Sequence, residues 1–166
     1  MRARLFALAL AASVLSSGVL AHGFGFFVSP AELQPTVTLV SGGSAEISFA
    51  LAAKEQPISG LQVSVAVDPR QATVESCAPD PRLDGTGKGV TIGKSVLSNG
   101  NELTRVTLSG ANPVSIGDGA AFTCSLAVFS GPGTNVTVGF ERAKATNAAA
   151  ESLTLIVPSS LAFMAQ

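Results

Sequence analysis

A repeat of two dominates this sequence. Leu61, Val63, Val65 and Val67 alternate with Gln62, Ser64 and Ala66, and Phe122, Cys124, Leu126 and Val128 alternate with Thr123, Ser125 and Ala127. Successive side chains of an extended strand point to opposite faces, so each run offers one face to a core and one to solvent. The runs Val37 to Val40, Glu46 to Leu51, Ala72 to Cys77, Lys94 to Ser98, Leu103 to Ser109, Asn135 to Glu141 and Leu153 to Val157 read the same way, which predicts nine strands. Turn clusters separate them: Ser41 to Ser44, Pro57 to Gly60, Asp68-Pro69, Asn99-Gly100-Asn101, Gly117-Asp118-Gly119 and Gly131-Pro132-Gly133. Asn99-Gly100 predicts a tight hairpin with positive φ at both residues, pairing Lys94 to Ser98 with Leu103 to Ser109. No stretch sustains a helical period. The Ala-rich Ala143 to Ala150 is short and interrupted by Lys144, Thr146 and Asn147, so at most one helical turn is expected there. Many short strands joined by Gly/Pro turns predict an all-β, two-sheet antiparallel sandwich or jelly roll.

Composition removes several function classes. The chain has 166 residues, 13% of them charged, a formal net charge of -1 and no basic run, so it offers no counterion-releasing surface and nucleic acid is not expected as a partner. One domain fits this length. A single histidine cannot form a His-His metal site, and a histidine-based catalytic triad would have to use His22. No paired carboxylates at a shared site and no phosphate-cradling Gly-rich turn are identifiable, so no catalytic residue, cofactor or metal is expected and the chain is read as not an enzyme. Asp80 and Asp84 precede Gly85, but a calcium loop would need oxygen ligands at Arg82 and a glutamate at Thr91. A solvated loop is expected instead.

The N-terminus has the plan of a secretory signal peptide. Arg2 and Arg4 form a positive start, Leu5 to Leu15 is an uncharged apolar run, and Ser16-Ser17-Gly18 breaks it before the small Ala21 at the expected cleavage position. The broken run is shorter than the ~20 residues of a membrane span, and membrane attachment follows only if the segment stays uncleaved. Cleavage leaves His22 first, yet a copper brace built on it would need a second imidazole. Residues 1–21 are therefore read as signal, 22–34 as an N-terminal segment, 35–158 as the domain and 159–166 as a tail. The mature chain is expected outside the cell or in its envelope.

The succession ISGLQVSVAVDPRQATVES, SNGNELTRVTLSGANPVSIGDGAAFTCSLAV and GPGTNVTVGFERAKATNAAAESLTLIV resembles the cohesin family over roughly Pro35 to Val157. The resemblance implies a nine-stranded antiparallel β-sandwich with jelly-roll topology and a secreted, non-catalytic module that attaches a dockerin-like module or another exported protein. It also implies that the partner lies on the sheet formed by Lys94 to Ser98, Leu103 to Ser109, Leu61 to Val67 and Asn135 to Glu141. The outward residues of that face, taken by alternation, are Gln62, Ser64, Ala66, Arg105, Thr107, Thr137 and Glu141. Where well-studied cohesins carry an Asn and an Asp at the start of the first of these strands, this sequence has Gly60 and Gln62.

The alternative is a carbohydrate-binding or envelope structural sandwich. Sugar modules commonly stack pyranose rings on exposed aromatics. The chain has no Trp or Tyr, and Phe49, Phe122 and Phe140 fall on the core phase, which leaves Phe24, Phe26, Phe27, Phe129 and Phe163 as candidates. Polysaccharide therefore stands second to protein as a partner. Two cysteines in an exported chain of this size predict one disulfide between Cys77 and Cys124, the alternative being two buried thiols. Asn135-Val136-Thr137 is a formal glycosylation sequon inside a predicted strand.

Overall fold

The structure, a computed structural model, describes residues 29–40 and 42–166. The expected signal segment, His22, Phe24, Phe26 and Phe27 lie outside the described residues. The strands are β1 (Ala31–Val40), β2 (Ser44–Ala52), β3 (Gly60–Val67), β4 (Ala72–Pro79), β5 (Gly89–Val96), β6 (Glu102–Ser109), β7 (Gly119–Val128), β8 (Asn135–Thr146), β9 (Ser152–Leu153), β10 (Leu155–Ile156) and β11 (Ser160–Met164). They form two facing sheets ordered β10-β1-β2-β7-β4 and β11-β8-β3-β6-β5, with β9 added to β8. This is the expected all-β jelly-roll sandwich, with eleven strands among the described residues rather than nine.

The differences have local causes. The expected tail 159–166 contains β11, antiparallel to β8, with Leu161 packed against the core and Phe163 buried within it. Its alternation is only a few residues long, too short to stand out in the sequence. The domain also starts earlier than Pro35: β1 begins at Ala31, and Ala31 and Leu33 are buried. Leu153 to Val157 splits at Thr154, so that β9 pairs with β8 while β10 runs parallel to β1, the one parallel pairing among the described residues. No helical turn forms after Ala143. The strand β8 continues to Thr146 past a bulge at Arg142, whose φ is 50°, and the turn follows at Asn147 to Ala150. The bulge shifts the alternation by one, burying Ala145 and turning Lys144 outward.

The β5–β6 hairpin forms as expected, with a different turn. Gly100 has φ 87°, but Asn99 keeps a negative φ and its side-chain oxygen accepts from the Asn101 amide at 3.0 Å. A three-residue loop with glycine at the left-handed position results, closed by Leu97 N–H donating to Asn101 O at 2.9 Å.

An aromatic cluster joins the sheets. Phe49 of β2 and Phe122 of β7 are direct cross-strand partners whose rings stack at 4.5 Å, and Phe140 of β8 meets Phe49 edge-on at 5.6 Å from the facing sheet. Around them pack Leu33, Ile47 and Leu126 from one sheet and Val63, Val65 and Leu108 from the other. Phe163 is likewise in the core, so among the described aromatics proposed above for sugar stacking only Phe129, 60% exposed, faces solvent. Cys77 and Cys124 are cross-strand partners on β4 and β7 and form a disulfide.

On the same edge strand, a polar cluster ties β4 to the β5–β6 hairpin. Glu102 accepts from the Thr73 hydroxyl at 2.8 Å and from the Lys94 ammonium at 3.1 Å. Burial alone would push the Glu102 carboxyl up; the hydrogen bonds from Thr73 and Lys94, the Lys94 charge and the Val74 amide outweigh it and hold the carboxyl below its ordinary value of 4.5. A carboxyl with a depressed folded-state pKa contributes stability that is present above the unfolded value and lost as pH falls beneath it. Glu102→Gln is therefore expected to lower stability near neutrality and to flatten the loss of stability below pH 4.5, which denaturant unfolding at stepped pH measures. An unchanged acid slope would remove Glu102 from this role.

Candidate functional site

The four strands implied as a binding surface lie side by side in one sheet, in the order β8-β3-β6-β5. Their registers fix the outer face row by row. One row across the strands reads Lys144, Gln62, Thr107 and Thr91; the next reads Glu141, Ser64, Arg105 and Gly93; the third reads Gly139, Ala66, Leu103 and Ser95. Every residue read from the sequence as outward is on this face, with Thr137 at its margin beside Ala162 of β11.

They do not all reach solvent. Arg105, Thr137 and Glu141 are exposed and Gln62 and Thr107 are half-buried, but Ser64 is fully buried and Ala66 is 7% exposed. Side chains this short on a central strand cannot project past their neighbours. Arg105 and Glu141 flank Ser64, and Leu103 flanks Ala66. These two positions are therefore closed to a partner and are not contact points. Leu103, in the same row as Ala66, is likewise buried, at 4% exposed. The Ser64 hydroxyl has no hydrogen-bond partner among the described residues.

The electrostatics of the face are simple. Arg105 and Glu141 stand two strand spacings apart, roughly 10 Å, on either side of Ser64. Neither belongs to an ion pair among the described residues. The face thus presents two positive side chains, Lys144 and Arg105, and one negative, Glu141, around the buried Ser64, which suits a partner of complementary charge. Gly93 adds flatness, because a Cβ there would meet nothing within 4 Å.

Sequence reasoning missed Leu103, Lys144, Thr91, Gly93 and Ser95 on this face. Leu103 shares the phase of Arg105 and could have been read outward, but its apolar side chain suggested the core. Lys144 needed the bulge at Arg142 to be known. Thr91 and Gly93 follow once β5 is extended back to Gly89, a stretch whose glycines masked the strand, whereas Ser95 lies within the predicted run Lys94 to Ser98.

No family model matches the chain, and no curated protein matches it. Solved structures do. A type I cohesin–dockerin complex from Clostridium thermocellum aligns with TM-score 0.58 at 10% identity, over 81% of this chain and 94% of that one. The second type II cohesin module of an adaptor scaffoldin from Acetivibrio cellulolyticus aligns with TM-score 0.60 at 12% identity, over 81% and 91%. A non-cellulosomal cohesin from the archaeon Archaeoglobus fulgidus aligns with TM-score 0.58 at 12% identity, over 82% and 91%. The chain has a cohesin-like fold.

Proposed function

We propose that this chain is a non-catalytic binding module that receives a folded protein partner, of dockerin type, on the outer face of β8-β3-β6-β5. The observation that carries the reading is the face itself: four adjacent strands in one sheet whose outer side exposes Arg105, Thr137, Glu141 and Lys144 beside half-buried Gln62 and Thr107. The cohesin-like fold, found in solved complexes with dockerins, supports it. Residues 1–21 act as an export signal in this reading, and the module works outside the cell or at its surface. The disulfide suits an oxidising compartment. With Phe163 buried, a sugar platform would rest on Phe129 alone among the described aromatics, so polysaccharide is not the ligand proposed.

The contacts run through Arg105 and Glu141, the charged residues that flank Ser64. Arg105→Glu and Glu141→Lys are each expected to weaken partner binding at least tenfold, about 1.4 kcal/mol, while Glu46→Lys on the outer face of the other sheet leaves it unchanged. Calorimetry with a panel of dockerin modules, and with partners captured from secreted protein, reads this directly. A protein that binds none of them better than about 1 mM removes the proposal.

A further inference from the structure

We infer that the free edge of β5 pairs with the β5 edge of a second copy of this chain, antiparallel, about a two-fold axis at Gly93. A sheet edge is a row of unpaired amides and carbonyls, and proteins blunt such edges with bulges, prolines, charges or short strands. Three of the four edges here are blunted. The strand β4 has a register shift between Val74 and Ser76 and ends at Pro79, β10 is two residues long, and β11 has five residues. The edge of β5 is different: it runs unbroken from Gly89 to Val96 against β6, contains no proline, and leaves Ile92 40% and Val96 75% exposed. Its one charge, Lys94, is turned to Glu102 and Thr73 of its own chain, at 3.1 and 3.0 Å.

The register follows from the hairpin. Leu97 and Asn101 are a hydrogen-bonded pair, and such pairs alternate along an antiparallel ladder. Thr91, Gly93 and Ser95 therefore direct their backbone groups to β6, and Val90, Ile92, Lys94 and Val96 direct theirs to the open edge. A second copy must pair even-numbered residues with even-numbered ones. Placing Gly93 on the axis sets Val90 against the partner's Val96, Ile92 against the partner's Lys94, and Thr91 against the partner's Ser95. Apolar meets apolar, hydroxyl meets hydroxyl, and the Lys94 stem covers Ile92. Sliding one step toward the C-terminus sets Lys94 against the partner's Lys94, a like-charge pair directly opposite, which is unfavourable. Sliding one step the other way leaves Val96 without its valine. The axis stands perpendicular to the sheet, so the two outer faces described above become neighbours on one continuous surface. An interface of one strand per copy is small and belongs to the weak class of associations.

The test uses the native chain, whose described cysteines are both in the disulfide. Sedimentation velocity from about 10 μM to about 1 mM is expected to show a reversible monomer–dimer equilibrium, shifted at least tenfold toward monomer by Val96→Asp and left unchanged by Glu46→Lys on the other sheet. Residues in a non-hydrogen-bonded pair have Cα atoms roughly 4.5 Å apart, within disulfide reach. Gly93→Cys is therefore expected to form a covalent dimer under mild oxidation. Gly89→Cys, on the same strand and face with equally open space, is not, because its copies lie far from the axis. A chain that remains monomeric at about 1 mM, or equal crosslinking at the two positions, overturns the inference.

Discussion

Phe49→Ala is expected to destabilise the protein by about 3–5 kcal/mol, the cost of removing a large ring from a packed interior. The ring is fully buried, and it stacks on Phe122 within its own sheet and meets Phe140 edge-on in the other. It is thus the contact through which the sheets lock, and its neighbours on the strand ladder cannot close over the void without moving both sheets. Since a domain's whole stability is about 5–15 kcal/mol, this one change consumes a large fraction of it. Chemical denaturation gives the number, with Phe129→Ala as the matched control. Phe129 is 60% exposed, so its loss is expected to stay within about 0.5 kcal/mol. Similar costs for the two variants would mean that the core is organised around some other contact.

Reducing the Cys77–Cys124 disulfide is the second large effect. The bond closes a sequence separation of 47, for which constraint of the unfolded chain gives about 4 kcal/mol in the chain-entropy description. It links β7, a central strand, to β4, the strand at the sheet edge. Loss of the bond is therefore expected to free β4 first and to loosen the Thr73–Glu102–Lys94 cluster with it. Thermal melts with and without reductant, and of the Cys77→Ala/Cys124→Ala double variant, should agree. Unfolded native protein should show no free thiol until reductant is added. If reductant leaves the melting temperature unchanged, the bond has no part in stability.

Much of this fold is legible in the sequence because a sandwich strand states its own phase. Leu61 to Val67 and Phe122 to Val128 needed nothing but alternation, and the Asn-Gly turn was enough to pair β5 with β6. What escaped depends on tertiary context. No period marks a terminal strand such as β11, which exists because β8 offers it an edge and the core accepts Phe163. The continuation of β8 was disguised by alanines, whose helical preference yields to pairing with β3. The binding face was readable as a set of positions, since register preserves alternation. Its relief was not: whether Ser64 projects or recedes depends on Arg105 and Glu141, which sit on other strands.

Of the two terminal strands of the described domain, β1 has a long pairing and β11 a short one, and the placement of their ends matters. Val40, at the far end of β1 from Ala31, lines the same small recess as Phe163 and Gln166. The N-terminal end of β1 and the C-terminal end of β11 therefore leave the sandwich at opposite poles. Tension applied between them runs along both strands, and β1 is held against β2 from Glu32 to Val40. Under such a load the hydrogen bonds are strained in parallel, all at once, instead of being peeled in succession. As a link in a chain under pull, this domain resists by shear.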